Sequence, residues 1–532
     1  MVVRIHPGQS LPPSPRLPVS PLAATLLLAI LTVSVQAAAP AAAQGPGAAL
    51  RPDSVRILRE AREAQARFER LRRRVVPEAA GTWGGRCDEI VGRMCLRLGP
   101  AGDWWPEPEP RELVEGRAEL LMALDEAGRA LPGDEWILGQ TVVYLVEAGQ
   151  ADEALARARR CGPASDWWCT ALAGYVLHTG HRYLEAEGAF RRALAGMDSA
   201  DVRRWTDPGI LLDGDGRDAL DGAAPRLVPV LRDRLWELSD PLFLVEGNDR
   251  WTEHMARQVV VRTRESAANP YGLRWGDDLA ETVVRYGWEV GWERIEPRPP
   301  GMAMTSHAVG HQHPESRPHI APGAALTALG ATEPDAWNPG SRFLPRTGYA
   351  PGYAPVLLPA DAEILRAPRG DSLVVVAFLA LPADTTYHRE HRHDPLPVPD
   401  VFRGRPPEVG LFAQRSGAVV VGDRVQGTRG AARIALPPGE YLLSAEVWVP
   451  DSARAGRVRE GLAWTGFPRD LPTLSDLFVA DAGGGQPDSL DALLERMEQI
   501  LGLSVVLTSH GATARDKKAA SSLLVPSATM VA

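Results

Sequence analysis

Hydrophobic positions recur every three or four residues through the first half of the chain, a pattern that predicts amphipathic helices. The clearest case begins at Asp53, a residue type that often caps a helix N-terminus. Its apolar side chains lie at steps of three, four or seven residues: Val55, Leu58, Ala61, Phe68, Leu71 and Val75. Arg and Glu fill the positions between them. The segment therefore predicts a helix with one buried face.

Two later stretches share the same order of small, aromatic and turn positions. They are WILGQTVVYLVEAGQADEALARARRC and WCTALAGYVLHTGHRYLEAEGAFRRAL. Ala154 and Ala186 each lie where a second helix contacts the first. They are 32 residues apart, which is close to the repeat length of about 34 residues in helical repeat proteins. The pattern resembles the tetratricopeptide repeat. That resemblance implies stacked helix pairs over residues 111–240, with a concave face that binds a protein or peptide; a plain helical bundle is the alternative.

From Pro355 the hydrophobic residues fall into short β-branched and aromatic runs separated by Gly, Pro and Asp turns, which is typical of β-strands. In GEYLLSAEVWV the residues from Tyr441 to Val449 alternate between two faces, and the pattern predicts a strand with one buried face. About six or seven such strands between residues 355 and 482 favour an immunoglobulin-like β-sandwich. The predicted fold class is therefore multidomain α + β, with tetratricopeptide-like helical repeats followed by that sandwich.

The first 44 residues fit neither pattern. Arg4 and Arg16 precede the apolar run LAATLLLAILTVSV, and the small-residue stretch QAAAPAAAQ follows it. The run is shorter than the roughly 20 residues that span a bilayer, but it is typical of a signal peptide. We expect cleavage after Ala37 or Ala43 and export to the periplasm or the extracellular space. An uncleaved anchor is the alternative, and no transmembrane segment is expected in the mature chain.

Four cysteines follow in two pairs with the same separation, Cys87 with Cys95 and Cys161 with Cys169. An even number of cysteines in an exported protein favours disulfides, and each local pair would close a short loop. The spacing and the lack of nearby histidines do not match a zinc site. Local pairing is one of three possible connectivities, and buried free thiols are a further alternative.

Length, charge and composition then limit the classes of function. The 532 residues include 58 basic and 67 acidic side chains, a formal net charge of −9, which argues against a nucleic-acid partner. The 51 Gly and 47 Pro indicate many turns. The predicted segments are a signal peptide (1–44), a helix with a disulfide-tied segment (45–110), the repeats (111–240), a Trp-rich segment (241–300), a Pro/His-rich linker (301–354), the sandwich (355–482) and a short helix with a tail (483–532).

The Trp-rich segment carries one family resemblance. Trp275, Asp278, Arg285 and Tyr286 follow the spacing WxxDx6RYG, which resembles the GWxTD domain of exported bacterial proteins. Arg274 and Asp277 stand where that domain has Gly and Thr, and Leu279 and Ala280 stand where it has Arg and Gly. The resemblance implies an exported location and an architecture, but no reaction.

The same segment supplies the candidate binding residues. They combine aromatic side chains with charged ones: Trp275, Asp278, Arg285, Tyr286 and Trp288. We expect a buried Asp278–Arg285 ion pair to fix the geometry of the Trp cluster through bidentate hydrogen bonds. A packed aromatic core without a ligand is the alternative.

Histidines cluster in two Pro-rich segments that we expect to be exposed loops. The candidate metal ligands are His307, His311 and His313 in the first segment and His388, His391 and His393 in the second. Their density would suit a transition metal if the fold joined the two clusters. Neither cluster matches HExxH, so the sequence implies no cofactor.

The sequence favours a non-catalytic exported protein-interaction or envelope-assembly module. The motifs of serine hydrolases and of Gly-rich phosphate loops are missing from the sequence. The alternative is a metal-dependent or other hydrolase with a site between the helical and β halves, built from His254, Asp277, Asp278 or the histidine clusters. Carbohydrate binding through exposed Trp is a third hypothesis.

Overall fold

The protein is mixed α/β, with its helices toward the N-terminal side and its sheets mainly in the C-terminal part. A computed structural model describes residues 52–79, 87–96, 104–160, 162, 164–295, 307–337, 347–369, 371–381, 398–415 and 418–466. The predicted signal peptide, the second histidine cluster, Cys161 and the C-terminal helix lie outside these residues. Among the described helices, none has the length and apolar content needed to cross a membrane.

The helices confirm the three-to-four-residue pattern of the first half. They are α1 (Pro52–Val75), α2 (Arg111–Ala130), α3 (Glu135–Glu147), α4 (Ala151–Arg159), α5 (Asp166–Thr179), α6 (Tyr183–Gly196), α7 (Ser199–Trp205), α8 (Gly214–Asp221), α9 (Val228–Ser239), α10 (Asp249–Arg264), α11 (Asp277–Tyr286) and α12 (Ala324–Thr327). Helix α1 buries Ala61 and Phe68 against Leu113 and Leu120 of α2. Its last turn carries Arg72, Arg73 and Arg74, as a helix dipole favours.

Helices α3 to α6 pack as two consecutive pairs. Ala154 and Ala186 are fully buried at the crossings, as their positions predict. A Cβ on Gly174 would lie 2.8 Å from the Phe190 ring, so glycine is what allows α5 and α6 to approach this closely. The stacked pairs are as expected, whereas their identity as tetratricopeptide repeats stays a prediction.

Helix α10 packs against α3, α5 and α6. Its Met255, Ala256 and Val259 join the hydrophobic core that α5 contributes with Leu172 and Val176. The chain's own helix therefore fills this face of the helix pairs. The prediction that partner proteins bind to the repeats finds no support in the structure.

A disulfide-tied hairpin lies against α11. Strands β1 (Glu89–Val91) and β2 (Met94–Leu96) are antiparallel, and the predicted Cys87–Cys95 disulfide is confirmed. Val91 and Met94 pack against Leu279 and Tyr286 of α11. The second predicted pair is untested because Cys161 lies outside the described residues.

The strands that follow Pro355 lie in the segment where the sequence predicts strands, and two more strands precede it. They are β3 (Gly291–Ile295), β4 (His307–His311), β5 (Val356–Pro359), β6 (Asp361–Arg369), β7 (Ser372–Ala380), β8 (Glu408–Arg415), β9 (Ala418–Gln426), β10 (Arg429–Leu436), β11 (Gly439–Val449) and β12 (Arg454–Trp464). The orders are β10-β7-β6 in one sheet and β5-β12-β11-β8-β9 in the other, and β3 pairs with β4. The two larger sheets enclose one hydrophobic core. Their classification as an immunoglobulin-like sandwich stays a prediction.

Strand β11 is buried on both faces, so the expectation of one buried face is wrong. Leu443 and Val447 face the core between the sheets. On the opposite face Leu442 and Trp448 pack against residues that precede α10, in the segment Leu238–Val245. The five-stranded sheet is therefore a layer between the smaller sheet and the helical part, which sequence alternation does not reveal.

Part of the segment 301–354, which was expected to be an exposed linker, is buried between α9 and the five-stranded sheet. Ala321, Ala325 and Leu326 pack against Leu235 and Leu238 of α9. His319 is only 2% exposed. These residues connect the helical part to the sheet.

Candidate functional site

A cleft of about 470 Å³ opens where helices α1, α3, α5 and α10 meet the segments that follow α11 and β4. We call it the central cleft. Its polar and aromatic lining includes Arg72, Glu147, Tyr175, His178, His181, Glu253, Arg257, Arg264, Tyr286, Trp288, Glu289, His313 and Tyr349. The small residues Thr179, Ser316 and Ala350 also line it.

Helix α10 places one charged row along the cleft. Glu253, Arg257 and Arg264 are separated by four and seven residues, and such spacing puts side chains on one helix face. Glu253 Oε1 accepts a hydrogen bond from Arg257 Nε at 2.6 Å. Burial alone would raise the pKa of Glu253, but Arg257 and His178 outweigh it and lower that pKa to about 2. Glu253 is therefore ionised at neutral pH.

His178 completes this row from α5. Its Nε2 lies 2.7 Å from Glu253 Oε2, and its Nδ1 lies 2.9 Å from Thr252 Oγ1. Both ring nitrogens are thus occupied within the protein. His178 orients Glu253 and has no free nitrogen to take a proton from a ligand.

Arg257 fixes two walls of the cleft. It donates to the carbonyl oxygens of Val284 (3.0 Å), Arg285 (2.9 Å) and Gly348 (2.5 Å). The adjacent Gly287 has φ +88°, and a Cβ there would lie 3.2 Å from Arg257 Nη2. Glycine is needed at this position because the chain turns with a positive φ directly above the guanidinium.

The other charges of the cleft are paired as well. Arg72 bonds Glu147, and Arg264 lies 2.8 Å from Glu289. Tyr271 donates to Glu289 Oε1 at 2.9 Å. The three arginines and three glutamates of the lining therefore compensate one another.

Two further histidines face the cleft in neutral form. His181 Nδ1 lies 2.9 Å from the Tyr183 hydroxyl, and burial together with His178 lowers the pKa of His181 to about 4. His313 Nδ1 accepts from the amide of Glu315 at 3.1 Å, and burial and Arg317 lower the pKa of His313 to about 4. His181 also has φ +58°, an uncommon backbone conformation for a residue with a side chain.

Only part of the predicted Trp-rich site reaches the cleft. Tyr286 and Trp288 line it, and the Trp288 ring meets Tyr175 edge-on with centroids 5.7 Å apart. Trp275 instead packs between the main helical core and the hairpin. Sequence reasoning interpreted His254 as a packed residue, and its Nε2 indeed lies 2.9 Å from the Trp205 carbonyl oxygen in the interior.

The expected Asp278–Arg285 pair is wrong. Both residues lie on α11, where seven residues separate them by about 10 Å along the axis. Asp278 instead accepts from Arg93 of the hairpin at 2.6 Å, and this bond lowers the pKa of Asp278. Arg285 pairs with Glu89 (2.8 Å) and Glu281 (3.1 Å). The hairpin, which the sequence did not place near this segment, supplies both partners.

The first histidine cluster does not converge either. His311 stacks on Trp104 with centroids 4.1 Å apart, and its Nε2 lies 3.0 Å from Glu293. His313 faces the central cleft, and His307 begins β4. Within the described ranges no three His, Cys, Asp or Glu side chains are arranged to hold a metal ion. His388, His391 and His393 lie outside those ranges.

Sequence reasoning missed the central cleft itself. A row of charged residues on one helix face normally predicts a solvated surface. The available signal was the row Glu253–Arg257–Arg264 combined with an unusually aromatic neighbourhood. Neither feature predicts which other elements pack around that row and form the walls of the cleft.

The hairpin makes one consequence testable. Replacing Cys95 with Ser is expected to lower the free energy of unfolding by about 2 kcal/mol, because the disulfide restricts the unfolded chain. Since Glu89 bonds Tyr286 and Arg285, hydrogen exchange should also accelerate in α11 and the cleft wall at 286–290. Hydrogen–deuterium exchange measures both regions, and Cys87→Ser should reproduce the effect. Unchanged exchange in α11 would show that the hairpin does not support the cleft.

Comparisons of the chain with protein-family models, with curated proteins and with solved structures found no match. The GWxTD resemblance therefore rests on the residues that carry it.

Proposed function

We propose that this protein is an exported, non-catalytic binding protein that holds a short, net-neutral segment of a partner polypeptide in the central cleft. The observation that supports this most is the pairing of every arginine in the lining with a glutamate. The cleft offers hydrogen-bond donors and acceptors without net charge. A peptide backbone has the same character.

The size of the cleft agrees with such a ligand. Small-ligand sites in proteins occupy about 300–1,000 Å³, and the cleft holds about 470 Å³. This volume excludes a folded domain and accommodates a few residues in extended form. Glu147 and Arg264 keep 30% and 24% of their side chains exposed, so both signs of charge remain available at the lining.

The histidines favour binding over general-base catalysis. A catalytic base works best when its pKa lies near the operating pH. His181 and His313 have pKa values of about 4, and both nitrogens of His178 are occupied. His181 and His313 are therefore poorly suited to the general-base role that the hydrolase alternative requires.

Export is supported by the pattern of the first 44 residues and by the Cys87–Cys95 disulfide. Stable disulfides persist in oxidising compartments such as the periplasm and the extracellular space. An envelope location would bring the cleft into contact with other exported polypeptides.

The proposal is tested by panning a displayed random-peptide library against the mature chain. Peptides enriched on the wild type should bind Ala350→Trp at least about tenfold more weakly, because the indole would occupy the cleft. Met122→Trp is the matched control, since Met122 is an exposed residue of α2 outside the cleft. Isothermal titration calorimetry with synthetic peptides measures the affinities.

Two results would overturn the proposal. One is an affinity for the enriched peptides that Ala350→Trp leaves unchanged. The other is a glycan array on which saccharides bind in a cleft-dependent manner while no peptide does, which would favour a carbohydrate ligand.

A further inference from the structure

Four side chains of the central cleft keep hydrogen-bonding groups that no other described residue uses. They are the Tyr175 hydroxyl, the Trp288 indole N–H, the remaining N–H groups of Arg264 and one ring nitrogen of His313. Tyr175 is only 4% exposed, so its hydroxyl is largely withdrawn from bulk water. Polar groups in such a position are generally satisfied by ordered water or by a ligand. The cavity brings all four groups to one site.

Most of these groups can only donate a hydrogen bond. An indole N–H and a guanidinium offer no acceptor atom. His313 Nδ1 accepts from the Glu315 amide at 3.1 Å, and burial and Arg317 keep the ring neutral by lowering its pKa to about 4. The proton of this ring therefore lies on Nε2, which is a donor. Burial raises the pKa of Tyr175, so its hydroxyl keeps its proton and can donate as well.

The carboxylates of the lining, in contrast, are engaged. Both oxygens of Glu253 and both of Glu289 face donors within 2.9 Å. Glu147 Oε1 faces both Arg72 and Arg117. A ligand rich in N–H groups would compete with donors that already hold these oxygens. An anionic ligand would meet arginines that already have a counter-charge, and Glu147, whose side chain is 30% exposed, would repel it.

Aromatic and aliphatic side chains supply an apolar surface beside the donors. The half-buried Trp288 ring meets the rings of Tyr175 and His178 edge-on, with centroids 5.7 Å and 6.5 Å apart. Val290 follows closely in the chain, lines the cleft and is 44% exposed. Val146 of α3 also belongs to the lining. Amphipathic rings of this kind pack on apolar ligand groups while their N–H or O–H bonds a polar one.

Resting on the peptide-binding function proposed above, we infer that the segment held in the central cleft is proline-rich and binds in the polyproline II conformation. Proline has a carbonyl acceptor but no N–H, so such a segment offers acceptors to Tyr175, Trp288 and His313 and brings few donors. Its backbone makes no internal hydrogen bonds, so these carbonyls are available. Its rings are uncharged, and aromatic-lined grooves are a general means of binding them.

Two displayed peptide libraries of equal length test the ligand class. One fixes proline and the other alanine at every third residue, because polyproline II has about three residues per turn. The mature chain should retain the proline library at least about tenfold better. Equal retention of both libraries, with binding that Ala350→Trp abolishes, would overturn the proline-rich class and leave peptide binding in the cleft intact. Retention of neither library would overturn both proposals.

Removing single donors tests the contacts, with a synthetic peptide from the proline library as the probe in isothermal titration calorimetry. Tyr175→Phe deletes a hydroxyl without a partner among the described residues, so the Tm should stay within about 1 °C of the wild type. Its affinity for the peptide should fall about fivefold, and Trp288→Phe should have a similar effect. Trp136→Phe, at a residue of α3 outside the lining, is the matched control. Wild-type affinity in either cleft variant would contradict the inference.

Discussion

Replacing Glu253 with Gln is expected to lower the free energy of unfolding at pH 7 by about 3–5 kcal/mol. Glu253 and Arg257 are 5% and 1% exposed, and their ion pair lies in the wall of the central cleft. Gln preserves the shape of the side chain but removes its charge. The Arg257 guanidinium would then be buried without its counter-charge, and it holds the carbonyls that position both walls.

The pH dependence identifies the origin of this loss. The pKa of Glu253 is about 2 in the folded protein and about 4.3 in an unfolded chain. The ionised Glu253 therefore contributes fully to the free energy of unfolding above pH ~5. This contribution, about 3 kcal/mol, is lost as the pH falls from ~4.3 toward 2. Urea denaturation of both proteins across this range measures it. A gap between wild type and Glu253→Gln that stayed constant down to pH ~2 would exclude the ion pair as its cause.

An exposed pair provides the control for this substitution. Glu185 bonds Arg182 on the surface, and both side chains are largely exposed. Surface ion pairs contribute little because water and salt screen them, so Glu185→Gln should change the free energy of unfolding by less than about 0.5 kcal/mol. Comparing Glu253→Gln with Glu185→Gln therefore shows how much of the stability loss depends on burial of the ion pair, because both substitutions remove one negative charge.

Replacing Arg459 with Met is expected to cost about 3–5 kcal/mol and to leave unfolding a single transition. Arg459 of β12 donates to the carbonyls of Leu238 (3.0 Å) and Asp240 (2.7 Å) and lies 3.6 Å from Glu446. Its loss would leave the fully buried Glu446 without the arginine that pairs with it and would remove the guanidinium donor from the Leu238 carbonyl. The helical part and the sheet should therefore lose stability together.

Differential scanning calorimetry combined with Trp fluorescence tests this coupling. Both signals should shift to lower temperature by the same amount in Arg459→Met, whereas Arg429→Met, at an exposed residue of β10, should leave them unchanged. If only one of two separate transitions moved, the sheets would be an independent domain. The sequence-based segmentation at residues 354 and 355 would then describe the folding units correctly.

Local patterns in the sequence were sufficient for many of the longer helices and strands. Helix α1, the stacked pairs around Ala154 and Ala186, and the strands after Pro355 all follow from side-chain spacing, because a helix or a strand repeats over a few residues. The Cys87–Cys95 disulfide follows from short separation in the same way. These features involve residues that are close in the chain.

The failures share a different property, since each depends on elements far apart in the sequence. The Asp278–Arg285 pair was expected from two residues of the same short segment, but the hairpin at 87–96 provides Arg93 and Glu89 as partners. The polar positions of β11 were expected to face solvent, but residues 238–245 cover them. Spacing within one segment contains no information about which other segment packs on it.

The sequence by itself indicated a helical first half, strands after Pro355 and a short-range disulfide between Cys87 and Cys95. Only the tertiary structure decided that the charged face of α10 lines a cleft, that β11 is buried on both sides and that His319 lies among arginines. The physical reason is that propensity and periodicity act locally, whereas burial and charge compensation depend on the contacts of the whole folded chain. The same Glu253–Arg257 spacing would be a weak surface pair on an exposed helix, and it becomes a strong one because other elements exclude water from it.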